Sequence, residues 1–147
     1  MKVKLRVDNR LIEGDSGKNL LEVCLENGIY IPNLCYMEGI ERPIASCRLC
    51  YVEIKGERMP VTACTQMVSG GMEVRTDSPS VRRLQRSALE MLLSVHNVNC
   101  GHCPANKKCE LQRLARVLKV SLKSGPFEKH LKGIEVDDAH PFLNYYP

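Results

Sequence analysis

The sequence predicts an α+β chain in which a mixed sheet clasps one helix and a small helical layer follows. Three observations carry this. Residues 2 to 7 alternate apolar and polar and run through Asp8-Asn9 into a second short stretch, the pattern of a hairpin. Leu20, Leu21, Cys24 and Leu25 then fall on one helical face. Later, Ser78-Pro79 opens a run with apolar residues at alternating threes and fours, the start of a longer helix.

Taken in order, Arg10 to Glu13 return as the second strand. In the Gly14-Asp15-Ser16-Gly17 turn that follows, Ser16 is the expected N-cap, and Gly28 stops the first helix. Cys24 reads as a small core residue, the usual role of a cysteine on an apolar helical face. Tyr51 to Ile54 read as a strand, Lys55-Gly56-Glu57 as its turn, and Arg58 to Ala63 as the returning strand with Cys64 at its end. Gly70-Gly71 breaks the chain before Met72 to Thr76. The helix over residues 79 to 95 is expected to bury Val81, Leu84, Ala88, Met91 or Leu92, and Val95. Its basic residues Arg82, Arg83 and Arg86 would form a solvated face. A further helix from Glu110 to Val120, with Leu111, Leu114, Ala115 and Leu118 as its stripe, would pack against it. This gives domains at 1-77 and 78-124 and a tail at 125-147.

Composition narrows the function. The chain has 147 residues, a formal charge of +4, eight cysteines, two Phe and no Trp. Residues 1 to 7 alternate like a strand, so no signal-peptide pattern is read there, and no apolar run reaches membrane-spanning length. A reducing, cytoplasmic location is expected, with no direct membrane insertion. In such a compartment eight cysteines argue for metal or redox chemistry, since a disulfide framework needs an oxidising one. Ligation deprotonates thiols and would bring the loaded chain to about +1. With base-stacking aromatics also scarce, no nucleic-acid partner is expected.

The cysteines form two constellations. Cys35, Cys47, Cys50 and Cys64 are separated by eleven, two and thirteen residues on two loops able to converge. Zinc usually takes two short Cys-x-x-Cys knuckles, and only one close pair exists here. A 2Fe-2S cluster of the plant type takes three cysteines from one long loop and a fourth from a distant segment, which fits better. The intervals still differ from that type, the first being longer and the last shorter. With such a site the sheet and helix take the β-grasp arrangement of 2Fe-2S ferredoxins. His96, Cys100, Cys103 and Cys109 are separated by three, two and five residues, with Gly101, Pro104 and Asn106 keeping the segment irregular. A histidine at a helix exit followed by three cysteines supplies four corners of a site, for zinc as well as for iron-sulfur. His102 is a rival ligand that would strain the loop; His130 and His140 read as surface residues.

These residues resemble a known family. Leu34-Cys35-Tyr36, Ala45-Ser46-Cys47-Arg48-Leu49-Cys50, Thr62-Ala63-Cys64, Gly71-Met72 and the run His96-x3-Cys100-x2-Cys103-x5-Cys109-Glu110-Leu111-Gln112 are similar to the N-terminal region of the large iron-sulfur subunit of respiratory complex I. They are similar too to the same region in the related subunits of NAD-linked hydrogenases and formate dehydrogenases. The resemblance covers nearly the whole chain and turns both sites away from zinc. It implies one 2Fe-2S cluster on Cys35, Cys47, Cys50 and Cys64 and one 4Fe-4S cluster on His96, Cys100, Cys103 and Cys109. The fold class is then α+β, a β-grasp 2Fe-2S ferredoxin-like domain followed by a small helical 4Fe-4S domain whose ligands are one histidine and three cysteines.

The implied function is electron relay between a flavin-containing NAD(P)H-binding subunit and a further redox subunit, such as a hydrogenase or formate dehydrogenase. Such a relay subunit has no catalytic residue of its own. No glycine-rich phosphate-binding turn opens a helix, so hydride chemistry has to come from the flavin partner. Backbone amides around Arg48 and Leu49 are the expected donors to the first cluster. His96, neutral where a thiolate is anionic, should make the second easier to reduce. Family members continue into cysteine-rich modules beyond a segment similar to Asp138 to Phe142, so the next centre is expected on another polypeptide, or the route is shortened here. In residues 125-147 the cluster of Pro141, Phe142, Leu143, Tyr145 and Tyr146 suggests a docking segment. The competing reading is a metal-stabilised docking module without redox role.

Overall fold

Strands β1 (Lys2–Val7) and β2 (Arg10–Asp15) pair antiparallel from Lys2↔Asp15 to Val7↔Arg10 in the computed structural model, which describes residues 1–40, 42–96, 98–122, 137–140 and 143–145. Their two-residue turn, Asp8-Asn9, has positive φ at both positions (47° and 67°), the geometry that matches the right-handed twist of paired strands. Alternation puts Leu5 and Val7 in the core and leaves Lys4 and Arg6 outside.

Helix α1 (Leu20–Glu26) crosses this sheet and buries Leu20, Leu21, Val23 and Cys24. Its N-cap is Asn19 and not Ser16: Asn19 Oδ1 accepts from the Glu22 N–H at 2.9 Å. Asn19-x-x-Glu22 ahead of an apolar run is a helix-start pattern that outranks the earlier serine. Gly28 (φ 71°) ends the helix, with its own N–H donating to Leu25 O and that of Ile29 to Cys24 O, the paired bonds of a glycine-terminated helix. Gly14 permits the close crossing, because a Cβ there would lie 2.4 Å from Val23 Cγ1.

Strands β3 (Tyr51–Ile54), β4 (Val61–Thr62) and β5 (Glu73–Arg75) complete a five-stranded sheet of order β2-β1-β5-β3-β4. β5 runs parallel to β1 and antiparallel to β3. A parallel strand laid between two hairpins, with one helix across the face, is the β-grasp arrangement. β4 is much shorter than the expected Arg58–Ala63 strand. Pro60 has no N–H to donate to a ladder, and Ala63–Thr65 tighten into a single 3₁₀ turn that carries Cys64.

Ser78 caps α2 (Pro79–Ser94), its Oγ accepting from the Val81 N–H at 3.2 Å and donating to Glu53 at 2.8 Å. Its buried positions are Val81, Gln85, Ala88, Leu89 and Leu93. The expected stripe drifts off this line: Leu84 is half-buried, while Met91 and Val95 are exposed. A polar residue holds the missing place, since Gln85 Nε2 donates to Tyr51 O at 3.0 Å and so can be buried. On the basic face Arg83 and Arg86 are exposed, and Arg82 pairs with Asp77.

The contacts divide the chain into two compact units, Met1–Ala88 and Leu89–Pro147. In the second, α3 (Glu110–Leu118) buries Leu114, Ala115 and Leu118. It stops two residues short of Val120, where Lys119 turns left-handed (φ 54°) and the Val120 N–H bonds back to Ala115 O. Asp137–His140 (β6) and Leu143–Tyr145 (β7) pair antiparallel, where the sequence shows no periodicity. Pro141, Phe142 and Tyr146 of the expected docking segment, and His130, lie outside the described residues.

Candidate metal centres

The loop from Pro32 to Cys50 and the 3₁₀ turn at Cys64 bring the first four cysteines together. Ala45 (φ 52°) and Arg48 (φ 53°) are left-handed without being glycine, a conformation that costs energy and turns successive amides toward one side. Cys47, Cys50 and Cys64 are buried and Cys35 is half-buried. The Ala63 N–H donates to Cys50 O at 2.8 Å, which lays the Cys64 turn against Cys50. The sulfurs meet in pairs, Cys35 with Cys47 and Cys50 with Cys64. The charges of Cys35 and Cys47 also act on Cys64, so the two pairs are neighbours.

Within each pair one thiol is pushed up and the other held down. Burial raises Cys35, but the combined bonds from the Cys47 and Ser46 amides and side chains outweigh it and leave the thiol below its ordinary value. Burial raises Cys47 despite amides of Leu49, Cys35 and Leu34. Its hydrogen bond to Cys64, with burial added, drives Cys50 up, and the same bond holds Cys64 down. Backbone N–H groups aimed at sulfur favour the thiolate, the form that binds iron. Of the donors expected from sequence, Leu49 acts on Cys47; Leu34, Cys35, Ser46 and Cys47 join it.

The second constellation is less closed. His96 is exposed just beyond α2, its N–H reaching Leu93 O at 3.3 Å. Cys100 opens a 3₁₀ turn, Cys103 is exposed, and Cys109 stands at the N-cap of α3. Gln112 ties down the loop between them: its Oε1 accepts from the Lys107 N–H and its Nε2 donates to Asn106, both at 2.9 Å. Sequence reasoning assigned Gln112 no such role, although its place one turn into the helix after Cys109 puts it within reach. The rival His102 has its Nδ1 against Asn99 Oδ1 at 3.1 Å.

Among the described residues no three His, Cys, Asp or Glu side chains close on a point where one ion could sit. Two neighbouring sulfur pairs suit a dinuclear cluster that takes two thiolates at each iron, and the donor set of three cysteines and a histidine suits a larger cluster with one ligand per iron. All eight cysteines are free. A cleft of about 870 Å³ at the far end of β3, lined by Arg6, Glu53, Glu57, Arg58 and Arg75 among others, includes none of them.

The fold and these centres define a two-centre iron-sulfur protein. The family profile described as the 2Fe-2S iron-sulfur cluster binding domain matches residues 1–79, and the chain belongs to that family. Residues 85–122 match the NADH-ubiquinone oxidoreductase-G iron-sulfur binding region, so the chain carries the binding regions of one 2Fe-2S and one 4Fe-4S cluster. It is 38% identical over 110 residues to the second G-type subunit of NADH-quinone oxidoreductase of Rhizobium meliloti, covering 75% of this chain and 13% of the relative. It is 30% identical over 128 residues to the gamma subunit of the NAD-reducing hydrogenase HoxS of Cupriavidus necator, covering 86% of this chain and 53% of the relative. The crystal structure of an NAD+-reducing NiFe-hydrogenase in the H2-reduced state superposes with a TM-score of 0.81 at 30% identity, over 95% of this chain and 57% of that one. The chain thus spans about half or less of the relatives it matches. No helix among the described residues is long and apolar enough to cross a membrane.

Proposed function

We propose that this chain relays electrons between a flavin-containing NAD(P)H-binding subunit and a further redox subunit in the cytoplasm. Cys35, Cys47, Cys50 and Cys64 would hold the 2Fe-2S cluster, and His96, Cys100, Cys103 and Cys109 the 4Fe-4S cluster. The division at 1-77 and 78-124 accommodates one centre each, in keeping with family matches at 1–79 and 85–122. The observation that carries the reading is the gathering of the first four cysteines in the fold, Cys47, Cys50 and Cys64 buried and Cys35 half-buried, with the Ala63 N–H on Cys50 O at 2.8 Å laying the Cys64 turn against Cys50.

A bound cluster supplies one-electron transfer with little ligand movement. The chain's own residues set how readily that happens. Amides of Ser46, Cys47 and Leu49 aimed at sulfur offset anionic charge, burial of Cys47, Cys50 and Cys64 excludes water, and a neutral His96 removes one negative charge from the second site. The relatives' names place NAD-linked chemistry in their complexes, which supports a nicotinamide-dependent partner here.

Anaerobically purified protein should contain about six irons and show two spectroscopically distinct centres, because the two ligand sets suit one cluster of each kind. Two zincs per chain with no visible absorption would eliminate electron transfer. Alone, the protein should not oxidise NADH.

A further inference from the structure

Where β5 ends, a side chain of α2 takes its place against β3. The β3–β5 register runs through Ile54↔Val74 and Glu53↔Arg75, and the Lys55 N–H donates to Glu73 O at 2.9 Å, so Lys55 and, by alternation, Glu53 and Tyr51 turn their backbone groups toward β5. In that register Tyr51 would meet Asp77, which lies beyond the last residue of β5. Its carbonyl therefore has no β5 partner, and a buried carbonyl needs one. Gln85 Nε2 supplies the donor at 3.0 Å.

That carbonyl stands between two ligand-bearing segments. Cys50 precedes Tyr51, and its own carbonyl, pointing the other way, accepts from the Ala63 N–H at 2.8 Å. Thr62 is the cross-strand partner of Tyr51 and lies two residues before Cys64; the Thr62 and Thr65 hydroxyls, 2.8 Å apart, brace the 3₁₀ turn that carries Cys64. Cys50, Thr62, Cys64 and Gln85 are all buried, Gln85 with 2% of its surface exposed, so no water competes for this bond. An aliphatic side chain would fill the same place between Val81 and Ala88 with no polar atom to satisfy. What the amide adds is its hold on Tyr51.

We propose that Gln85 is a positioning residue for the 2Fe-2S centre: by donating to the Tyr51 carbonyl it fixes the end of β3 that presents Cys50 and, through the Tyr51↔Thr62 pair, the turn that presents Cys64. The inference rests on the ligand reading above and gives Gln85 a role beyond packing α2 on the sheet.

Two variants of the full cluster-loaded chain test it, with Ser78→Ala as the reference because that change removes another bond from the start of the helix to β3, at Glu53, farther from Cys50. Gln85→Met keeps the reach of the side chain and removes the donor; Gln85→Asn keeps the amide and withdraws it by one methylene. Both should shift the EPR spectrum and midpoint potential of the reduced 2Fe-2S centre. A chelator should strip that centre about tenfold faster, the scale on which outer partners of metal ligands act. Ser78→Ala should leave all three at wild type, and the 4Fe-4S signal should stay unchanged throughout. If Gln85→Met does not fold, the milder Gln85→Asn decides. Should the Gln85 variants behave as Ser78→Ala does, lowering only the denaturant midpoint, Gln85 is a packing residue with a satisfied amide and the inference falls. It falls also if both clusters shift together, since the change then belongs to the whole helix. Absence of a 2Fe-2S signal in the wild-type chain would instead overturn the ligand reading, and this role with it.

Discussion

At the first centre three of four cysteines are buried, backbone amides of Leu34, Cys35, Ser46, Cys47, Leu49, Cys50 and Cys64 bond to the sulfurs, and sheet, helix and loop each hold one part in place. At the second, His96 and Cys103 are exposed, the connecting segments are 3₁₀ and turn, and Gln112 is the main tie between loop and helix. The difference is one of where organisation comes from. A β-grasp core can hold its thiols in neighbouring pairs through its own contacts. Besides its cysteines the stretch from His96 to Cys109 carries only Val98, Pro104 and Ala105 as apolar residues, so on the proposed ligand set bound iron would supply part of its order.

The largest expected effect breaks the two centres apart. After anaerobic chelation of iron, amide exchange across residues 98 to 109 should speed up by about tenfold or more, while β1, α1 and β5 keep their protection. Equal loss of protection in both units would show that the first centre also depends on iron for its shape. Next comes His96. His96→Ala should weaken or remove the second cluster, by at least the 10- to 100-fold in affinity, roughly, that outer partners of metal ligands are worth. His96→Cys should keep the cluster and lower its potential, one more anionic ligand favouring the oxidised form. Iron content and EPR-monitored redox titration read both. An Ala variant with unaltered cluster and potential would remove His96 from the ligand set.

Much of the first centre was legible because short-range chemistry decides it. The Cys47-x2-Cys50 pair, the Asp8-Asn9 turn and the Ser78-Pro79 helix start all act within a few residues of themselves. What was not legible depends on distant partners. The parallel pairing of β1 with β5 joins Arg6 to Glu73 across the chain, and nothing local to either strand announces it. Gln85 looks like a surface position in the sequence because its partner, the Tyr51 carbonyl, comes from another element. Asn19 escapes notice for a different reason: the signal is present as Asn19-x-x-Glu22, but Ser16 comes first beside two glycines. At the second centre spacing offered the candidate ligands, whereas the αL turn at Lys107 and the Gln112 tie could not be read from it.

A smaller effect sharpens the claim that the first centre rests on its scaffold. Gly14→Ala places a Cβ 2.4 Å from Val23 Cγ1 and 2.7 Å from Cγ2, and Val23 is fully buried and cannot move aside. Overpacking of this kind costs about 1–3 kcal/mol, to be read from denaturant midpoints of the loaded protein. Because the crossing of α1 over β2 is what shifts, the 2Fe-2S spectrum should change and the 4Fe-4S spectrum should not.

The smallest effect concerns the helix that begins in the first unit and ends beside His96. Ser78 is buried, accepts from the Val81 N–H and donates to Glu53, so Ser78→Ala removes a cap and leaves the Glu53 carboxylate without that donor. Loss of such a cap costs about 1 kcal/mol, less than the Gly14 substitution. Pro79 still presets the first helical φ, so α2 should form with a frayed first turn and remain helical through its buried Val81, Ala88, Leu89 and Leu93. Both cluster spectra should then stay at wild type while the denaturant midpoint falls slightly. Ser78→Thr, which restores a capping hydroxyl, should recover most of the loss. A change in the second cluster's spectrum in Ser78→Ala would mean that fraying travels the whole length of α2 to His96 beyond its other end, and that the second centre takes more of its order from the helix than from iron.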